Sequence, residues 1–255
     1  MKSSFLPILR CPHCKAELRL AGRTQIVRDE EIEEGLLLCA GCERGYPVTR
    51  GIPRFVPPSN YADSFGLEWR LYGRVQMDSF SGNRISRERF EATTGWLAGS
   101  GNGRLTLDAG CGGGRFTEIA LATGATVVAF DYSNCVDFTR ESFAGRDQDL
   151  HLAQADIRQM PLRPVFDAVF CMGVLQHTPD PHQSLQCLYE VLKPGGELVV
   201  DVYEDAESPR PGSSLNPQTW LWEPLLKSLP RRLLLAWVRL QVRIFLALED
   251  RKSVV

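Results

Sequence analysis

Leu105-Thr106-Leu107-Asp108-Ala109-Gly110-Cys111-Gly112-Gly113-Gly114-Arg115-Phe116-Thr117 decides the fold, because a short apolar run enters a glycine-rich turn and leaves it as a helical stretch. Glycines at 110, 112 and 114 allow backbone dihedrals closed to residues with a Cβ and let the main chain approach a nucleotide-like ligand. A glycine turn alone also suits NAD or FAD. A dinucleotide fingerprint, however, wants glycine at 115, where this chain has Arg115, and the carboxylate of Asp108 just before the turn repels a pyrophosphate. The ammonium of an amino-acid moiety would be welcome there.

Outward from the turn, further apolar runs follow at Thr126–Phe130, His151–Ala153, Asp167–Met172 and Glu197–Val202, with helical stretches between them. Strands alternating with helices predict right-handed crossovers and an α/β, Rossmann-like, doubly wound, mostly parallel sheet. Two strands end in carboxylates. Asp131 lies 21 residues after Gly110, where it can accept hydrogen bonds from ribose hydroxyls, and Asp156 is placed to receive an adenine amino group. Residues 104–203 carry 7 basic and 13 acidic side chains, and the whole 255-residue chain has a net charge of −2. That balance gives no global reason to expect a polyanionic partner. The composition excludes fibrous, disordered and membrane-spanning classes. Few apolar residues precede Cys11, so no secretory signal is expected and the chain reads as cytoplasmic.

The ordered set of Asp108-x-Gly110-x-Gly112-x-Gly114, Asp131, Asp156, a fourth strand ending near His177 and Leu192-Lys193-Pro194-Gly195-Gly196 resembles class I S-adenosylmethionine (SAM) methyltransferases of the methyltransferase type 11 kind. The resemblance implies that Asp108, Gly110, Gly112 and Gly114 line the methionine end of SAM and that Asp131 holds the ribose. It implies further that Asp156 with Ile157 frames the adenine, with Tyr132 and Met172 completing the cofactor-binding set. A sulfonium methyl is already activated, so the protein mainly orients the acceptor and excludes water. His177 is the candidate base, with structural packing at the cofactor edge as its other reading.

Near the N-terminus, Cys11-Pro12-His13-Cys14 and Cys39-Ala40-Gly41-Cys42 offer four thiolates to one tetrahedral Zn2+. Four protein ligands leave no open position, so the metal is expected to be structural. Pro12, Gly41 and Gly45 suit the tight turns this requires. With Tyr46-Pro47-Val48 and Gly51-Ile52-Pro53, the segment resembles the small zinc-ribbon activator subunits of tRNA and protein methyltransferases, which bind a methyltransferase and mask apolar surface. Here the obvious partner is the rest of the chain.

The expected organisation is a zinc ribbon over 1–58, a helical lid or linker over 59–103, the SAM-binding core over 104–203 and a helical tail over 204–255. Phe65, Trp69, Tyr72, Phe80, Phe90 and Trp96 interleave with Arg70, Arg74, Arg84, Arg87 and Arg89, a pattern suited to a lid and also to stacking RNA bases. Seven-stranded members of the family close the sheet with a final antiparallel pair; the tail shows no such hairpin, so the last strands are expected to be missing. A basic amphipathic helix over 231–248 is a candidate membrane-surface or subunit contact. The expected activity is methyl transfer from SAM to a small-molecule or lipid-like biosynthetic intermediate. The alternatives are an rRNA or tRNA methyltransferase that uses the ribbon to bind RNA, and a non-catalytic SAM-binding scaffold.

Overall fold

A computed structural model describes residues 1–27, 31–57, 73–146 and 148–202, with positions 230 and 233. Apart from positions 230 and 233, the expected tail and its 231–248 helix lie outside the described residues, as do Phe65, Trp69, Arg70 and Tyr72. Among the described residues no helix is long and apolar enough to cross a membrane.

The first 57 residues form a four-stranded antiparallel sheet of β1 (Leu18–Val27), β2 (Glu31–Cys39), β3 (Gly45–Thr49) and β4 (Ile52–Pro53), paired in sequence order. The core carries β5 (Leu105–Ala109), β6 (Thr126–Asp131), β7 (Leu150–Gln154), β8 (Phe166–Met172) and β9 (Leu192–Asp201). All four pairings are parallel and the order is β7-β6-β5-β8-β9, so the order reverses beside β5. In such sheets ligands bind outside the carboxyl ends of the strands at this reversal. β9 starts earlier than expected. Leu192 pairs with Phe166, the Lys-Pro-Gly-Gly run bulges, and regular pairing resumes at Glu197 opposite Ala168.

The central strands are buried on both faces, and successive side chains enter opposite layers, as period-2 geometry requires. Leu107, Ala109, Val128, Phe130, Val169 and Cys171 face one cluster, while Val127, Ala129, Ala168, Phe170 and Met172 face another. The second face is covered by α2 (Ile85–Thr94), α3 (Arg115–Ala122) and α4 (Cys135–Ser142), which follow the short α1 (Asp78–Ser81). Phe90, Trp96 and Phe170 meet edge to face there, with centroids 5.3–6.1 Å apart. Phe90 and Trp96 are thus core residues rather than exposed stacking surfaces.

The first face is built differently. The crossover from β7 to β8, residues 155–165, has no α-helix, only a 3-10 turn at Ile157–Gln159, and α5 (Pro181–Glu190) covers only part of the face. The ribbon covers the rest, with Phe5, Leu9, Ile32, Leu37 and Val48 sharing a cluster with Phe130, Ala153, Ala155, Met160 and Leu162. Backbone bonds seal the seam. Arg10 N–H donates to the Pro161 carbonyl at 2.8 Å, and Arg163 N–H to that of Ile8 at 3.0 Å. Phe55 N–H donates to the Gln154 carbonyl at 2.8 Å beside a parallel bridge between Arg54 and Gln154, so the ribbon also caps the open edge at β7. Arg54–Asp137, Arg50–Glu141 and Arg140–Glu33, each 2.7 Å, cross the same seam. Partly exposed pairs of this kind fix alignment more than they add stability.

His151 of β7 stacks on Phe5 of the ribbon, with centroids 4.9 Å apart. Burial, with the Lys2 charge adding, pushes its pKa down to about 4. The native state therefore keeps His151 neutral while the unfolded chain takes up a proton below about pH 6.5, so stability is full above 6.5 and falls as the pH drops towards 4. The loss is on the order of 3 kcal/mol. His151→Phe is expected to remove this contribution, so thermal melts at pH 5 should show the variant more stable than the parent; equal melting temperatures at pH 5 contradict it.

The two cysteine turns are copies of one another. Lys15 and Glu43, each just after the second cysteine, adopt left-handed φ of 61° and 58°. Their N–H groups donate to the carbonyls of Cys11 and Cys39 at 2.9 and 3.2 Å. The strained position is this one, not Gly45. A left-handed residue costs about 1–2 kcal/mol, and glycine's extra entropy returns about 0.5–1. Glu43→Gly is therefore expected to stabilise by roughly 0.5–1 kcal/mol, read from denaturant midpoints; a lower midpoint contradicts the assignment.

Candidate functional site

The glycine turn is held from below and behind. Gly110 and Cys111 N–H both donate to the Phe130 carbonyl at 2.9 Å, tying the exit of β5 to β6. Gly112 N–H donates to Asp131 Oδ2 at 2.9 Å, while Ser133 N–H and Oγ donate to Oδ1, both at 2.8 Å. Gly110 and Gly114 take φ of 88° and 87°. A Cβ on either would stand 2.6 Å from a side-chain carbon, of Val174 and Phe143 respectively, so the turn needs glycine for space as well as for dihedrals.

Asp108 lies beneath this turn and is only 3% exposed. Thr117 Oγ1 donates to its Oδ2 at 2.6 Å. Burial pushes its pKa up to about 7, the Thr117 hydrogen bond opposes that, and the charge of Asp131 adds to it. A buried carboxylate in this state gains from a cation placed near it. Asp131 meets the turn directly, and the hydrogen bonds found among the described residues use three of its four lone-pair directions. Ala155 N–H donates to the Asp131 carbonyl at 3.0 Å, which brings Asp156 alongside. Asp156 caps the 3-10 turn through Arg158 N–H at 2.8 Å and pairs with the Arg158 guanidinium at 2.8 Å. Ile157 is buried, and the Tyr132 carbonyl accepts from Gln154 Nε2 at 3.1 Å.

The structure thus brings Asp108, Gly110, Gly112, Gly114, Asp131, Tyr132, Asp156 and Ile157 to the carboxyl ends of β5, β6 and β7. Met172 ends the neighbouring β8 and is buried among Phe170 and Cys111. His177 closes a 3-10 turn after β8 and is exposed. The sequence reading missed Thr117 and Ser133, which brace the two carboxylates; a hydroxyl nine residues from its partner leaves no pattern. It gave no bracing role to Arg115, which reaches Ser86 Oγ at 2.9 Å and Gln76 at 3.3 Å and so ties the turn to α2 and to the segment before α1. Arg89 pairs with Asp201 at the end of β9.

At the other site, the sulfurs of Cys11, Cys14, Cys39 and Cys42 lie within 4.8 Å of one another. Tetrahedral Zn–S bonds of about 2.3 Å require sulfurs roughly 3.8 Å apart, so donor set and spacing fit that ion. Gly41 and Cys42 N–H groups point at Cys39 Sγ from 3.3 and 3.4 Å and pull its pKa down to about 6. The Tyr46 hydroxyl lies 3.2 Å from Cys11 Sγ. Thiolates stabilised in this way suit a cation.

Residues 107–200 match the family model described as a methyltransferase domain, and residues 2–51 match that of the Trm112p-like proteins. The tRNA U34 carboxymethyltransferase of Proteus mirabilis is 42% identical over 103 residues, 39% of this chain and 32% of that protein. The ubiquinone biosynthesis O-methyltransferase of Pseudomonas entomophila is 30% identical over 137 residues, 51% of this chain and 55% of that protein. A solved SAM-dependent methyltransferase from Mesorhizobium loti is 27% identical, covers 45% of this chain and 53% of its own, and superposes at a TM-score of 0.39. The matched segments span about a third to a half of the curated relatives' lengths.

The small-molecule or lipid-like acceptor expected from the sequence does not stand. Relatives named for tRNA U34 match at 39–42% identity, against 28–30% for those named for ubiquinone biosynthesis. The net charge misled because a charge total says nothing about local surface.

Asp108 gives the site a pH signature. Its native pKa of about 7 lies above the ordinary 3.8, so the native state holds this proton more tightly and stability falls as the pH rises between those values. The cost above pH 7 is on the order of 4 kcal/mol. Asp108→Asn is expected to melt higher than the parent at pH 8 and to lose that advantage by pH 4; a lower melting temperature at pH 8 contradicts the buried-charge reading. The parallel strand order, the glycine turn between β5 and α3 and the four clustered cysteines agree with what the two family models match, a methyltransferase domain over residues 107–200 and a Trm112p-like segment over residues 2–51.

Proposed function

We propose that this protein transfers a methyl group from SAM to tRNA, in the cytoplasm, with a structural Zn2+ in its ribbon. The observation that carries the reading is the 39–42% identity to tRNA-named enzymes. Its association with a ribbon packed against the edge at β7 supports it.

SAM supplies an activated sulfonium methyl; the chain's own residues bind, orient and shield. Asp131 offers its open lone pair to a ribose hydroxyl while its other bonds keep the turn in shape. Gly110, Gly112 and Gly114 leave room for the methionine end, and the charge of Asp108 beneath favours its ammonium. Asp156, Ile157 and Tyr132 bound the adenine side, and Met172 bounds the reaction side. His177, exposed after β8, is the residue we assign to take an acceptor proton. Orientation of this kind contributes about 7–11 kcal/mol to lowering the barrier.

The test is transfer of label from methyl-labelled SAM to unfractionated tRNA, with a catechol-type quinone precursor as comparator. Label is expected in the tRNA, and Asp131→Asn should weaken SAM binding by roughly 10- to 100-fold, the value of a hydrogen bond to a charged group. Label in the comparator alone, or in neither, overturns the proposal.

A further inference from the structure

A groove of about 240 Å3 runs along the seam between the first cysteine turn and the β7–β8 crossover. Arg10 and Lys15 line it from the ribbon, Met160, Leu162 and Arg163 from the crossover, and Cys187 and Glu190 from α5. It starts two residues beyond Arg158, whose guanidinium is paired with Asp156 on the adenine side of the site.

The charges in this groove are unevenly matched. Arg10 Nη1 and Arg163 Nη2 share one carboxylate oxygen, Glu17 Oε1, at 3.3 and 3.0 Å. Glu17 is 72% exposed, so water competes for it and it holds neither guanidinium firmly. Arg163 Nε is buried and has no hydrogen-bond partner among the described residues, although its planar fork is built for a two-oxygen anion. Lys15 Nζ rests on the Met160 carbonyl at 3.0 Å, a neutral acceptor that leaves its charge unpaired there. Glu190, the other carboxylate of the groove, already accepts from Gln186 at 3.0 Å. Three cations thus face two carboxylates on an otherwise acidic core.

We propose that this groove seats the phosphate backbone of RNA, with Arg10, Lys15 and Arg163 as phosphate contacts and Glu17 as the internal acceptor that a phosphate displaces. The proposal rests on the tRNA reading and adds where the strand lies. Followed from residue 164 back to 160, a backbone held here leads from the amino end of β8 towards Arg158 and the carboxyl end of β7, and its contacts carry no base information. The ribbon's part in binding is then electrostatic and dependent on salt.

The test is binding of unfractionated tRNA to the full chain between 50 and 200 mM salt. Lys15→Gln is expected to weaken binding roughly tenfold at 0.1 M salt and to lower the salt slope by about one. Glu17→Gln, which removes the competing carboxylate, is expected to tighten binding several-fold; a merely structural role for this pair would not give that sign. Arg146→Gln, on the opposite face of the sheet where it pairs with Glu118, is expected to change neither. Wild-type binding that none of these variants alters overturns the groove and leaves the tRNA reading intact. Failure of the wild-type chain to bind tRNA at 50 mM salt overturns both.

Discussion

A parallel sheet must be covered on both faces, and here one crossover cannot cover its share. Residues 155–165 join β7 to β8 through a single 3-10 turn where such connections usually place a helix. Phe130, Ala153 and Val169 would face water on that side. The ribbon supplies the missing layer, and its own short strands gain the core that so small a module cannot build alone. The two pieces therefore share one hydrophobic cluster, with Cys11 and Cys39 in it, so metal binding and core packing act on the same residues.

The chemistry depends on this arrangement through β7. The ribbon pairs with Gln154 at the carboxyl end of that strand, one residue before the backbone bond from Ala155 to Asp131. Asp131 in turn positions Gly112, and with it the turn over Asp108. A cation bound near the buried Asp108 would oppose the effect of burial and lower its pKa, so the carboxylate and such a ligand favour one another.

Much of this was legible in the sequence for identifiable reasons. Short, near-continuous apolar runs marked all five core strands because both of their faces are buried by covering layers. The glycines at 110, 112 and 114 and the paired cysteines were legible because few other residues meet their geometric demands. The helix-free crossover was not, since Pro161, Leu162 and Pro164 read as an ordinary connection until the ribbon is seen lying on them. Nor were Lys15 and Glu43, which take a conformation their side chains do not advertise. Phe90 and Trp96 looked available for stacking because composition does not say which way an aromatic points. The small-molecule acceptor was expected partly from the charge balance, and a total does not say where cations such as Arg10, Lys15 and Arg163 gather.

The claim that ribbon and core form one folding unit is tested most directly by calorimetric unfolding of the intact chain, metal-loaded and after chelation, each with and without SAM. A shared core predicts one cooperative transition for residues 1–203 that SAM raises and metal removal lowers as a whole. Two separate transitions, with the SAM-responsive one unmoved by chelation, would contradict it.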